Sequence, residues 1–133
     1  MLGPKLKVRK EATELGDPGG APVDEEERSP KRLVCGRCGH AITTPDARID
    51  VLGRHAHTCI NPAGVVFHIG CFQAAAGMTG RGPHVAEHSW FPGYAWQIGL
   101  CRGCGAHLGW AFHGAEGARF WGLILARLEE RDA

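Results

Sequence analysis

The chain has 133 residues, enough for one domain and too few for two with separate cores. Hydrophobic residues make up 44% and the formal charge is +1, so no polybasic field exists to drive binding to nucleic acid or an anionic membrane. No run of apolar residues is long enough for a transmembrane helix, and Met1-Leu2-Gly3-Pro4-Lys5-Leu6-Lys7 lacks the apolar stretch of a secretory signal, so a cytoplasmic protein is expected.

Residues 1–32 contain no aromatic residue, hold four of the eight prolines and balance seven basic against seven acidic groups. Such a segment cannot bury enough apolar surface to offset the entropy of ordering it, and it reads as a flexible tail. From Leu33 to Ala133 the texture is that of one compact unit. Arg48–Leu52 and Gly64–Ile69 alternate as strands do. Cys71–Ala76 reads as one helical turn, and residues 77–83, rich in glycine and ending in proline, read as a loop. Ala95–Leu100 places Trp96, Ile98 and Leu100 on one face of a strand. His107–His113 likewise places Leu108, Trp110 and Phe112 on one face, with small or polar residues opposite. Phe120–Leu125 is a further strand, and Glu129-Glu130-Arg131-Asp132 is expected to fray. Twenty glycines and eight prolines suit short strands and tight turns. The predicted class is all-β.

Six cysteines fall at positions 35, 38, 59, 71, 101 and 104. Cys35-Gly-Arg-Cys38-Gly39 and Cys101-Arg-Gly-Cys104-Gly105 are near-copies of one device. A two-residue spacer lets both sulfurs of a tight turn face one ion, and the following glycine permits a positive φ. Two such knuckles supply four thiolates, which close a tetrahedral shell and leave no place for water. Structural zinc held by Cys35, Cys38, Cys101 and Cys104 is the expected cofactor. The alternative, two redox Cys-x-x-Cys pairs, lacks the βαβ context of such motifs. With the shell full, His40 and His107 read as surface or supporting histidines, while Arg37 and Arg102 stand where they offset the charge of a tetrathiolate.

Six of the ten aromatic residues lie between positions 88 and 112. Trp90 and Phe91 precede the turn signal Pro92-Gly93, and aromatics held on a turn can wall a small pocket. On the residues alone, pocket and core are equally good readings.

The stretch His88-Ser89-Trp90-Phe91-Pro92-Gly93-Tyr94-Ala95-Trp96, then Cys101-x-x-Cys104, then His107-Leu108-Gly109-Trp110-x-Phe112, closely resembles the CULT domain, the thalidomide-binding domain of cereblon. The likeness extends to Asn61-Pro62-x-Gly64, to the first knuckle and to Phe120-Trp121-Gly122-Leu123, and so spans roughly residues 33–125. The chain looks like a stand-alone, bacterial-type member of that family. The resemblance implies a β-tent, two antiparallel sheets set steeply against each other and pinned by zinc. It also implies a cage in which Trp90, Trp96 and Trp110 wall a cyclic imide and Phe112 closes the base. Asn61, Ser89 and the backbone of His88 and Trp90 complete the implied ligand set. Glutarimide, thalidomide-type ligands, uracil or uridine-like rings and C-terminal cyclic imides of proteins are the ligands implied. Where animal members have Asn-Pro-His-Gly, this chain has Ala63, which removes one polar contact to the outer part of a ligand. No Lon-like segment or adaptor-binding helices precede the module, so no ubiquitin-ligase adaptor is expected from this chain alone.

Other function classes fit less well. Cys59-Ile60-Asn61 is similar to the nucleophile segment of methionine-R-sulfoxide reductases, with Arg54, His55 and His57 near it in sequence. In that family, however, the nucleophile follows the second knuckle, and no catalytic residue is assigned here. An aromatic cage for a methylated ammonium commonly adds a carboxylate, and Glu87 is the only acid near the first wall. A nucleic-acid-binding zinc ribbon fails on charge, since residues 33–133 carry eight basic and seven acidic groups.

Overall fold

The structure is a computed structural model and describes residues 31–133. The expected tail lies outside the described residues as far as position 30. Lys31 and Arg32, read as the end of that tail, belong to the first strand.

Nine strands form two antiparallel sheets. The smaller has three strands in the order β2 (Ala41–Thr43), β1 (Lys31–Cys35), β9 (Leu128–Asp132). The larger has six, in the order β3 (Ala56–Ile60), β4 (Val66–Phe72), β8 (Arg119–Ile124), β7 (His107–His113), β6 (Ala95–Cys101), β5 (Met78–Val85). The three 3₁₀ turns are the only helical segments among the described residues. All-β is the class.

Alternation along the larger sheet buries both of its faces. Phe72, Met78, Ala111, Trp121 and Leu123 look toward Leu33, Cys35 and Ile42 of the smaller sheet. Ile69, Cys71, Trp110, Phe112, Phe120 and Ile124 form a second core on the other face, roofed by Phe91 of the loop between β5 and β6. Leu108 departs from the predicted face. The register slips between Gly99 and Leu100, so Leu108 is the extra residue of a bulge and joins the inter-sheet core rather than Trp110 and Phe112.

Four further expectations are corrected. Arg48–Leu52 is not a strand: it makes single bridges, Arg48 to Phe72 and Val51 to Arg54, and turns back at Leu52 and Gly53, both at positive φ. Cys71–Ala76 is not helical, because Cys71 and Phe72 continue β4 opposite Gly122 and Trp121. Residues 78–83 are not loop but the start of edge strand β5, where one unpaired side tolerates Gly80, Gly82 and Pro83. Residues 129–132 do not fray; they lie in β9, paired residue for residue with β1 from Lys31↔Asp132 to Cys35↔Leu128.

Candidate functional site

The first constellation is the cysteine cluster. Cys35 ends β1 and Cys101 ends β6, so each sheet contributes one knuckle. The two turns match bond for bond. Gly39 N–H donates to Cys35 O at 2.8 Å and Gly105 N–H to Cys101 O at 2.9 Å, with φ of 81° and 79° at the two glycines. Arg37 N–H points at Cys35 Sγ (3.4 Å) and Gly103 N–H at Cys101 Sγ (3.2 Å). A side chain at Gly103 would run into His40 Cβ at 2.9 Å, because the knuckles face each other at van der Waals range. The sulfurs of Cys35 and Cys104 are 3.8 Å apart, those of Cys38 and Cys101 3.6 Å, and all four lie within 4.8 Å of one another. A tetrahedron with arms of about 2.3 Å has edges of about 3.8 Å, so the four sulfurs are already spaced for one zinc-sized ion. The four cysteines can hold a metal.

The second constellation is a cavity of about 480 Å³ on the far face of the larger sheet. Of the residues singled out in the sequence, Asn61, His88, Trp90, Trp96, Trp110 and Phe112 line it. Trp110 and Phe112 line it from β7. Trp90 stands edge-on to Trp110, with centroids 4.8 Å apart at 80°. The indole N–H groups of two walls are tied to backbone: Trp90 Nε1 donates to Ile60 O at 3.0 Å and Trp96 Nε1 to Glu87 O at 2.7 Å. Fixed in this way, the rings offer their faces and not their polar edges. The neighbours Trp90 and Phe91 part company. Phe91 is 2% exposed and packs on Phe112 and Phe120, while Trp90 stays half-buried at the cavity. Between the two tied walls, His88 adopts φ 63°, a left-handed conformation rare for a residue with a side chain.

Ser89 is not among the lining residues. Its Oγ donates to Phe91 O and accepts from Phe91 N–H, so it shapes the turn. Asn61 touches the cavity while its Oδ1 accepts from Ala63 and Val65 N–H, bracing the turn between β3 and β4. Pro62, Phe67, Ile98 and His107 also line the cavity, although sequence reasoning assigned them no site role. His107 is not a surface residue: it is half-buried, sets its ring perpendicular to Trp110 and donates Nε2–H to Gly109 O. Burial, with Arg127 behind it, holds His107 below the ordinary histidine value. Only position in the fold marks Phe67, which β4 swings against Trp110 at 5.1 Å.

The other cysteines offer no activated nucleophile. Cys59 is buried and desolvation pushes its thiol up; burial takes Cys71 to about 12. His55 and His57, named in the sequence as neighbours able to activate Cys59, donate to the carbonyls of Ile49 and Val51 instead.

No protein-family model matches the chain. Among curated proteins it is 34% identical over 102 residues to "Protein cereblon" of Danio rerio, covering 72% of this chain and 24% of that protein. It is 40% identical over 76 residues to "Protein cereblon" of Gallus gallus, covering 54% of this chain and 17% of that protein. The Xenopus tropicalis cereblon is 38% identical over 76 residues. The chain is a cereblon homologue of the CULT type. It spans only 17–24% of the length of these cereblons, so the likeness concerns a single domain. Within that CULT domain lie both the cysteine cluster and the cavity. Among the described residues, no helix is long and apolar enough to cross a membrane.

Proposed function

We propose that the cavity is a non-catalytic binding site for flat, uncharged cyclic imides, glutarimide and thalidomide-type rings foremost, and for uracil-like rings of the same edge chemistry. The observation that carries this is the pair of tied indoles, Trp90 on Ile60 O and Trp96 on Glu87 O, standing with Trp110 around one opening. Rings whose N–H groups are already used present π-faces, which suit a flat ring with no charge. The polar edge of an imide, one N–H between two carbonyls, needs a backbone donor and acceptor. The left-handed turn at His88, an exposed residue that lines the cavity between two walls, favours its backbone for that role. No carboxylate lines the cavity, which favours a neutral imide over a methylated ammonium. The buried, protonated thiols of Cys59 and Cys71 favour binding over reductase chemistry. The spacing of the four cysteines, suited to one tetrahedral ion, supports zinc as the structural metal.

Calorimetric titration with glutarimide, N-methylglutarimide, uridine and trimethyl-lysine tests the reading. Glutarimide binds, its N-methyl derivative does not, and trimethyl-lysine binds weakly or not at all. Methylation deletes the donor and places a methyl where a backbone acceptor must sit. Equal affinity for the two imides would make the tryptophans a general apolar slot and end the assignment.

A further inference from the structure

Behind the Trp96 wall, on the opposite face of the larger sheet, three strands are tied together by side chains. Pairing of β5 with β6 slips between Arg81 and Val85, so residues 82–84 bulge opposite Gln97. The His84 ring lies on the His113 ring of β7, with centroids 3.8 Å apart and planes 3° from parallel. His113 Nε2–H donates to Gln97 Oε1 at 3.0 Å, and the Gln97 amide donates to Gly82 O at 3.0 Å. Edge strand, middle strand and third strand are thus joined by one stack and two hydrogen bonds.

The joint adjoins the cavity on two sides. Gln97 follows Trp96, and Val85, the residue after His84, pairs with Trp96. The chain then runs through Glu87, whose carbonyl accepts the Trp96 indole, into His88 at the cavity rim. A shift of the bulge moves a wall and the rim together.

We propose that His84, Gln97 and His113 are positioning residues that latch the Trp96 wall and the His88 rim, and that protonating both histidines opens the latch. This rests on the imide-binding reading of the cavity. A neutral or singly protonated stack is stable, but two imidazolium rings at this separation repel, and Arg119, opposite His113 on β8, adds a third positive charge. The groups facing the rings from β6, Ala95 and Gln97, are uncharged. Arg81 lies opposite Ile98, in the row on the cavity side. Glu116, in the turn after β7, is exposed, and among the described residues it forms no ion pair with either ring. Burial first, then His84 and Arg119, hold His113 below 6.5. The closed fold therefore binds fewer protons than an opened one. It is favoured above that value and lost as pH falls below it.

The experiment measures glutarimide affinity by calorimetry at about pH 7.5 and about pH 5.5, a range in which histidine titrates and the imide stays neutral. The wild-type protein loses about three- to tenfold in affinity over this range, the repulsion being partly screened at the exposed His84 ring. His84→Phe keeps a ring on His113 and removes one proton, so the pH dependence flattens. His84→Ala and Gln97→Ala remove the stack and the hydrogen bonds, and weaken binding at both pH values. A pH-independent wild type, or a His84→Phe protein as pH-dependent as wild type, overturns the latch. If glutarimide binds at neither pH, the imide reading fails, and the ligand-free protein decides the latch by NMR. Coupled titration of the two rings, with amide shifts over residues 82–88 following the second proton, supports it. Independent titration without such shifts overturns it.

Discussion

Trp90 and Phe91 show how much one residue's placement decides. Adjacent in sequence and alike in chemistry, they point to opposite tasks, one standing at the cavity and one filling the core beneath it. Trp96 and Trp110 both line the cavity, so on the imide reading Trp96→Ala or Trp110→Ala forfeits ring contact with the ligand and admits water to the backbone that would read an imide. The expected loss is on the order of 2 kcal/mol in imide affinity, measured by titration. Trp90→Phe keeps most of the face but drops the N–H···O bond to Ile60, and a smaller loss of about 1 kcal/mol follows. Affinities unchanged by Trp96→Ala would remove that wall from the site. The clustering of the tryptophans was conspicuous in the sequence, but the residues alone left pocket and core open, and only the family resemblance pointed to a cage. Phe67 and His107 were not conspicuous, since each is one aromatic or polar residue in an ordinary strand pattern. The pairing of β4 and β7 with β8 between them brings Phe67 to Trp110, and the bulge at Leu108 within β7 brings His107 to it.

Strands defined by apolar alternation, β6, β7 and most of β8, were readable from sequence, whereas edge strands were not. A central strand must bury side chains on both faces and so declares itself. An edge strand needs only backbone partners on one side. Gly80-Arg81-Gly82-Pro83 in β5 and Glu129-Glu130-Arg131-Asp132 in β9 therefore carry the composition of loops and yet belong to strands: Gly80 and Arg81 pair with β6 ahead of the bulge at 82–84, and all four β9 residues pair with β1. Their glycine, proline and charge also discourage pairing with other molecules. The same reasoning makes β9 important in spite of its charges, because it completes the smaller sheet around β1. Deleting residues 128–133 leaves β1 with only the three-residue β2 as neighbour and uncovers backbone over five positions. A loss of roughly 2 kcal/mol or more is expected, read as a lower urea midpoint. An unchanged midpoint would mean that the pairing contributes nothing in solution.

At the scale of the whole molecule, the two sheets meet through three features distant in sequence. One is the inter-sheet core of Leu33, Ile42, Phe72, Leu108 and Leu123. Another is Gly77, whose N–H donates to Ile42 O and whose carbonyl accepts from Arg102 N–H. It sits so close to Ala41 O that any side chain there would collide. The third is the cysteine cluster, which joins the knuckle at the end of β1 to the one at the end of β6, with 62 residues between Cys38 and Cys101. Cys35 and Cys101 are 0% and 2% exposed, so these two sulfurs sit where water cannot solvate them as separate thiolates, while Cys104 is half-buried and Cys38 exposed. On the zinc reading, convergence of the four is tied to the metal, whose binding free energy is in large part folding free energy. Three consequences follow for the intact chain. Cys35→Ser or Cys104→Ser abolishes the cooperative thermal transition. A strong chelator does the same to the unmutated protein, and zinc restores it. Acid acts in the same direction, because protons compete with the metal for the thiolates, so stability falls as pH is lowered. Cobalt substitution supplies a direct optical check through the absorption of a tetrahedral thiolate site. A metal-free protein that still melted cooperatively at an unchanged temperature would show that the core and the Gly77 contact hold the sheets by themselves, and the cysteine cluster would lose its structural role.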